Sequence, residues 1–526
     1  MVSLDNREMF PACGELVVMD GSIYRDCKGA LVRGISPFLV LAVLGLAACQ
    51  GTGGSTPVHT AAPATQVTPE ASPEAPIEAG TPVEQREDRL GPTSEADRLA
   101  EQKKSGLGPT RTKGITPESK EPGVALDRIV YVNSTGDLFT TNPDGSGLRS
   151  LTAGVQASSG SAGRLVAQPL NLNRFHAWPT WSPDGSKIAV SRVQAVNGGS
   201  QITLEIVDTS TAQAKTVYEN LSGGLVAQGA PHYIYWSPGG RYLSFLAATA
   251  DGLTLFVKDT EDNAEVVQVS VGAPLYWHWR SDDSALLLHN GTEIKLAEAP
   301  FQQEPLSLLS SAAPFRVPAL SPDGTRFAYI RVDQEGAALV VAPLEAPEAG
   351  EELLAVGPLS AFTWSPDGTE IAVADQQNAR TPVYQRLLVV SSTDGSEVRV
   401  VRNDSILAFF WSPKGDRLAW VALDVENRSF EWIAADSSGD SVKRLFKFQP
   451  STDVFTMLSY FDQYAYSHSP WSPDGTRLVV AGIPEGASRS GNGQSPTRDR
   501  IFVLDASGET PPLDIAGGTL AFWSWN

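Results

Sequence analysis

Four histidines, His176, His232, His278 and His468, each stand one to five residues before a recurring tryptophan: Trp181, Trp236, Trp279 and Trp471. Imidazoles brought together by such a register could hold a transition metal, because neutral ring nitrogens suit Zn, Mn or similar ions. The alternative role for each is a hydrogen bond to a loop carbonyl. A second group of residues is suited to gripping a ligand. The stretch "FTMLSYFDQYAYSHSP" (455 to 470) supplies Tyr460, Phe461, Asp462, Tyr464 and Tyr466, and Trp178 and Tyr233 stand before two of the recurring tryptophans. Large aromatic side chains of this kind anchor sugars and peptides. If they form an exposed grip, replacing Tyr464 and Tyr466 with Ala weakens binding and leaves the fold intact.

What positions these residues is a repeat. Its anchor is Trp-Ser-Pro-Asp-Gly followed by an alternating apolar run, as in "WSPDGSKIAV" from Trp181. The pattern returns from Trp236, Trp279, Leu320, Trp364, Trp411 and Trp471 at intervals of 41 to 60 residues. A four-stranded propeller blade occupies roughly 40 to 50 residues. In Ser182-Pro183-Asp184-Gly185, Pro stands at the second position of a type I turn, and Gly185 can adopt the left-handed conformation that closes a hairpin. Turn chemistry accounts for Asp184, Asp323, Asp367 and Asp474 without a catalytic or metal-binding role. Behind each anchor come three more β-branched or aromatic runs, such as "ITLEIVD" (202 to 208) and "AKTVYE" (214 to 219).

The two ends of the repeat region complement each other. "DRIVYVNSTGDLFTTNPDGSGLRSLT" (127 to 152) reads as second, third and fourth strands, and the final "TLAFWSWN" reads as a first strand alone. Joined, they make an eighth unit. The expected fold is all-β, an eight-bladed β-propeller of four-stranded blades over 127 to 526, its ring closed by pairing of the C-terminal strand with the N-terminal blade, so that the chain stops where the circle is complete. Strand alternation puts the Ser-Pro-Asp-Gly turns on one face, the turn face. The loops expected to be long, 153 to 178, 191 to 201, 219 to 233, 374 to 385, 448 to 469 and 481 to 499, fall on the opposite, upper face. Five of these six come from one arc, the pattern of a binding site carried on a rigid scaffold.

The first 126 residues are of another kind. "SPFLVLAVLGLAACQGTGG" (36 to 54) has an apolar core of about a dozen residues, too short for a membrane span and right for a signal peptide. Leu46-Ala47-Ala48-Cys49 resembles the bacterial lipobox, which implies a leader and signal over 1 to 49 and a lipid on Cys49. The acid-containing leader 1 to 27 is unusual for a signal and points to a start of translation near Val32. Residues 50 to 126 are rich in Pro, Thr, Ala and Glu, with no apolar periodicity. That composition reads as a disordered tether of roughly 50 Å root-mean-square span.

The Trp-Ser-Pro-Asp-Gly repeat resembles the propeller repeats of TolB and its extracytoplasmic relatives over about residues 127 to 526. That resemblance implies a protein-binding component of the cell envelope, although TolB carries an α/β domain before its propeller and this chain has the signal and tether instead. The repeat also precedes the catalytic domain of prolyl-oligopeptidase-like peptidases, but the chain has no Gly-x-Ser-x-Gly nucleophile elbow. It also lacks a phosphate loop, a His-Glu-x-x-His motif and a dinucleotide fingerprint. Oligogalacturonate lyases have a comparable propeller with a histidine-held metal, which makes a metal-dependent polysaccharide lyase the enzyme alternative.

Bulk composition narrows the partners. The 526 residues carry a net charge of −20, which disfavours nucleic acid and anionic membrane surfaces. Only three cysteines occur, Cys13, Cys27 and Cys49, so the repeat region has no disulfide framework and no thiolate metal site. The sequence thus leads to a lipid-anchored, extracytoplasmic module that binds an envelope protein or a glycan. It touches the membrane through the lipid alone and needs no cofactor, unless the histidines hold a divalent metal.

Overall fold

The structure is a computed structural model. It describes residues 127–152, 174–196, 199–219, 231–261, 265–313, 316–377, 383–396, 398–424, 429–487 and 499–525, together with a hairpin formed by Val17–Met19 and Ser22–Tyr24. The signal, Cys49 and the tether lie outside the described residues, as do most of the long loops 153–178, 219–233 and 481–499.

From Asp127 onward the chain is all-β and is built from antiparallel quartets taken in sequence order. The first complete one comprises Arg174–Trp181, Lys187–Val196, Gly199–Asp208 and Ala214–Glu219. Sheets of the same order follow behind Trp236, Trp279 and Leu320. The next ten strands join into one sheet, because Arg399–Trp411 pairs through its first half with Tyr384–Ser391 and through its second half with Arg417–Asp424. Likewise the end of Lys443–Pro450 reaches across to Arg477–Pro484. One further sheet draws on distant parts of the sequence: Leu520–Trp523 pairs with Ile129–Val132, followed by Leu138–Thr141 and Arg149–Ser150. The run 191–201, expected as a loop, instead extends a two-stranded ladder from Ser191↔Leu204 to Val196↔Gly199. Alternating burial along Ser191–Gln194 sustains the strand there.

The turns follow their local chemistry. Gly185 has φ 67°, its N–H donates to the Ser182 carbonyl at 2.9 Å, and the Ser182 hydroxyl accepts from the Lys187 amide at 2.9 Å. Asp184 accepts from the Ser186 amide and from the Ser182 hydroxyl, at 3.0 and 2.6 Å. Asp323, Asp367 and Asp474 do the same at their own turns. Two repeats lack Asp at this position, and a carboxylate arrives from elsewhere. At "WSPGG" the Ser237 hydroxyl and Gly239 N–H bond to Asp283 of the next repeat, at 2.8 and 2.7 Å. At "WSPKG" the Ser412 hydroxyl bonds to Asp416 at 2.7 Å. Neighbouring turns also touch: a Cβ on Gly240 would lie 3.3 Å from Pro183 Cδ, which, with its φ of 80°, makes glycine the fitting residue there.

Candidate binding cavity and the segment above it

The anchor tryptophans are joined to one another. All are buried, and the indole N–H of each but Trp523 crosses to the preceding quartet. Trp236 Nε1 donates to the Thr180 carbonyl at 3.1 Å and Trp181 Nε1 to the Phe522 carbonyl at 3.3 Å. Trp364, Trp411 and Trp471 donate in the same way to Ala319, Thr363 and Phe410, at 3.1, 3.3 and 3.2 Å. In each case the acceptor immediately precedes the neighbouring anchor. Trp279 reaches its neighbour through a relay, donating to the Ser244 hydroxyl at 3.0 Å, which donates to the Tyr235 carbonyl at 2.8 Å. Where Leu320 replaces tryptophan, its amide donates to His278 Nδ1 at 3.2 Å. Trp523 Nε1 is buried with no partner among the described residues. A donor left unpaired in this way costs about 1–3 kcal/mol.

These first strands surround a cavity of about 520 Å³. Every sheet from Asp127 onward contributes to its wall, through the anchors and through the Ser-Pro turns such as Pro183, Pro366 and Pro473. Among the described residues that line it there is no Asp, Glu, Lys or Arg. The indoles offer it little surface, since the seven anchor tryptophans are 1–8 % exposed. Trp525, 39 % exposed, is the accessible aromatic of the lining.

The roof of the cavity is the segment 451–469. It folds into helices α1 (Thr452–Ser459) and α2 (Phe461–Tyr464), with the Ser451 side chain capping α1 by accepting from the Val454 amide. Val454, Met457, Leu458 and Phe461 are buried, one apolar stripe at helical spacing. Phe461 packs against Phe409 with ring centroids 4.9 Å apart, and Tyr464 stacks on Trp178 at 5.1 Å and 15°. Tyr233 meets Tyr464 edge-on at 5.2 Å and donates its hydroxyl to the Gln463 carbonyl. The Tyr466 hydroxyl accepts from the Trp364 amide at 3.2 Å, and the Thr180 hydroxyl donates to the Ser467 carbonyl at 3.2 Å.

The sequence-predicted aromatics are therefore brought together, but facing one another. Trp178, Tyr233, Phe461 and Tyr464 are 8, 3, 1 and 8 % exposed. Tyr460 and Tyr466 are half-buried against the same core, and Asp462 is half-buried with its pKa pushed up to about 6 by burial, opposed by Arg316. The expectation of an exposed grip is corrected here: the loop turns inward because its apolar stripe has a hydrophobic seat to fill. Trp178 and Tyr233 hold left-handed φ of 56° and 48°, each at a bulge three residues before its anchor. Such a conformation is strained for bulky residues, at about 1–3 kcal/mol. The strain aims both rings at the roof.

The three described histidines form no cluster with other metal-ligating groups. His176 Nδ1 lies 3.0 Å from the Gly136 carbonyl, and burial pushes its pKa down to about 4. His278 accepts from the Leu320 amide and meets the Tyr466 ring at 4.3 Å; His468 Nδ1 lies 2.7 Å from the Ser467 hydroxyl. Burial pushes both down to about 3, so both are neutral near pH 7. His232 lies in the strand Pro231–Trp236 opposite Leu246, and its side chain is outside the described residues. Among the described residues no group of three or more His, Cys, Asp or Glu could hold a metal, so the expected imidazole cluster is corrected for His176, His278 and His468. Among them, too, no helix is long and apolar enough to cross a membrane.

No protein-family model and no curated protein matches the chain. Solved structures do. TolB from Acinetobacter baumannii is 16% identical with a TM-score of 0.34, over 63% of this chain and 81% of that one. An oligogalacturonate lyase in complex with manganese is 13% identical at 0.37, over 74% and 83%. A eukaryotic initiation factor is 15% identical at 0.46, over 76% and 98%. At such scores and identities the likeness says nothing of chemistry.

Proposed function

We propose that the quartets close into one eight-bladed propeller whose channel binds an uncharged partner and performs no reaction. The ten-stranded sheet divides into three quartets at Arg399–Trp411 and at Lys443–Pro450, which brings the number of quartets to eight. Seven of the eight junctions between neighbours carry a hydrogen bond from or to a first strand. The eighth is made by Arg477, which lies over the Trp523 ring at 5.1 Å and pairs with Asp127 at 2.5 Å.

The observation that carries the functional reading is the neutral lining of the cavity. A lyase acting on an anionic polysaccharide needs a cation to offset the substrate carboxylate and a base to take a proton. The described wall offers no cation, and burial makes its two histidines weak bases, their pKa values pushed down to about 3. A neutral wall of proline, serine and aromatic edges suits an apolar peptide segment instead, recognised by burial and by a few hydrogen bonds. The partner enters from the turn face, since 451–469 fills the other end. We read the N-terminal region as lipid anchor and tether, which holds the propeller outside the cytoplasm as an envelope binding module; the lipobox-like Leu46-Ala47-Ala48-Cys49 supports that part.

The test uses the full chain and capped, uncharged peptides containing proline and aromatic residues, followed by tryptophan fluorescence. A saturable change is expected, and Ser281→Glu, which adds a carboxylate at an exposed position of the wall, is expected to abolish it. Metal-dependent cleavage of a uronate polymer by the same protein would install the enzyme reading in its place.

A further inference from the structure

The roof segment is held almost entirely by neutral groups, yet it carries a carboxyl group at its base. Asp453, the second residue of α1, is 7 % exposed. It accepts a hydrogen bond from the Thr519 side chain, and the charge that acts on it is another carboxyl, Asp499, at the entry to the strand Arg500–Asp505. Helix α1 packs against Arg399–Trp411, Lys443–Pro450 and Arg477–Pro484, but the cations of those strands are engaged elsewhere. Arg399 pairs with Glu370, Arg402 with Asp404, Arg444 with Glu431, Lys447 with Asp424 and Arg477 with Asp127. Lys443 is exposed at the far end of its strand. On the α2 side, Asp462 has Arg316 as its counter-charge. Asp453 has none.

We propose that 451–469 is a pH-dependent stopper of the channel, seated while the Asp453–Asp499 pair carries at most one charge and loosened when both groups ionise. A buried carboxylate beside a half-buried one, with no counter-charge among the described residues, cannot ionise cheaply, and moving Asp453 toward water relieves it. The neutral contacts at the other end of the segment, to Thr180, Tyr233 and Trp364, are indifferent to pH near neutrality and define the seat to which it returns.

The direction follows from burial, which pushes Asp453 up to about 7 and Asp499 up to about 6. The seated state holds protons that a solvated segment releases near pH 4. Seating is therefore most stable below that pH and weakens as pH rises toward 7. One retained proton corresponds to about a tenfold change in the opening constant per pH unit. The device depends on the segment and its seat, whatever the channel binds.

Hydrogen exchange on the full chain tests it, with amide rates corrected for their intrinsic pH dependence. The amides of Phe455, Ala465 and His468, bonded within the segment, are the reporters. Their protection is expected to fall about tenfold per unit between about pH 5 and 7, while that of the strand residue Val389 stays level. Asp453→Asn, which keeps the acceptor for Thr519, is expected to remove the fall. Asp499→Asn is expected to retain more protection at pH 7 than the natural chain, which keeps the question decidable if the first variant folds poorly. Level protection in the natural chain, an unaltered fall in Asp453→Asn, or no gain in Asp499→Asn would each overturn the proposal.

Discussion

Trp364 and Trp523 form a matched pair that isolates the value of the indole link between quartets. Both are 4 % exposed. Both lie under an arginine, Arg326 at 5.2 Å over one and Arg477 at 5.1 Å over the other. They differ at Nε1, which in Trp364 donates to the Ala319 carbonyl at 3.1 Å and in Trp523 has no partner among the described residues. Replacing either with Phe removes similar apolar volume and leaves the ring beneath its cation, so those losses largely cancel in the comparison. Trp364→Phe also breaks a buried hydrogen bond, at about 1 kcal/mol or more. Trp523→Phe instead removes a buried donor that was costing about 1–3 kcal/mol. The two variants should therefore differ by about 2–4 kcal/mol, with Trp523→Phe the more stable. For a domain of about 400 residues, an unfolding entropy of about 2.1 cal/mol/K per residue converts this to about 2–5 °C in Tm. Scanning calorimetry on both proteins, at one concentration and scan rate, resolves such a gap. Equal melting temperatures, or a lower one for Trp523→Phe, would refute the idea that the indole N–H joins neighbouring quartets.

Three further outcomes follow from the packing. Removing 519–526 exposes the partners of Leu520, Phe522 and Trp523, each buried, at a cost of about 6 kcal/mol, and should give an aggregating or protease-sensitive domain; an unchanged melt would mean the sheet of Ile129–Val132 is completed in another way. Tyr464→Ala deletes a ring stacked on Trp178 and should cost about 3 kcal/mol, measured by thermal unfolding, in place of the intact fold expected from sequence. Cys49→Ser should move the protein from membranes to the soluble fraction on cell fractionation; persistent membrane association would place the anchor elsewhere.

The repeat was legible because its determinants are local. A Pro at one turn position, a Gly able to take positive φ and a Ser-Asp-Ser or Ser-Asp-Thr hydrogen-bond set lie within five residues, and the strands between them carry their own alternation. Departures from the motif were legible too, but not their repair, since Asp283 reaches Ser237 across a sheet boundary. The roof was misread for a different reason. Aromatic density in a loop says that the rings want a partner and not whether that partner is a ligand or the protein. The spacing of Val454, Met457, Leu458 and Phe461, at i, i+3, i+4 and i+7, was the available sign of an inward-facing helix. Once that segment turns inward, it buries His278 and His468 and takes from them the solvent and the convergence that a metal site requires. A central channel, with the histidines at its top, belongs to the expected propeller, but the make-up of its wall is hidden in the sequence because it consists of the anchors themselves, whose regularity reads as fold and not as site.

The distribution of charge bears on how a partner is chosen. The chain carries −20 overall, yet the described wall of the channel carries no charged residue. At physiological ionic strength the field of the acidic exterior extends about 8 Å, far enough to turn away nucleic acid and anionic glycans before contact but not to draw in a neutral segment. Under the proposed function, binding inside the channel owes its affinity to apolar burial and hydrogen bonds, which salt screens little. Association of an uncharged peptide should accordingly change by less than about twofold between 50 and 500 mM NaCl, because no ion pair is made or broken. A partner held on the outer surface would behave otherwise, since every acidic contact there is screened. Isothermal titration at the two salt concentrations separates the cases: a loss of affinity of tenfold or more at high salt would move the binding site from the neutral channel to the acidic exterior.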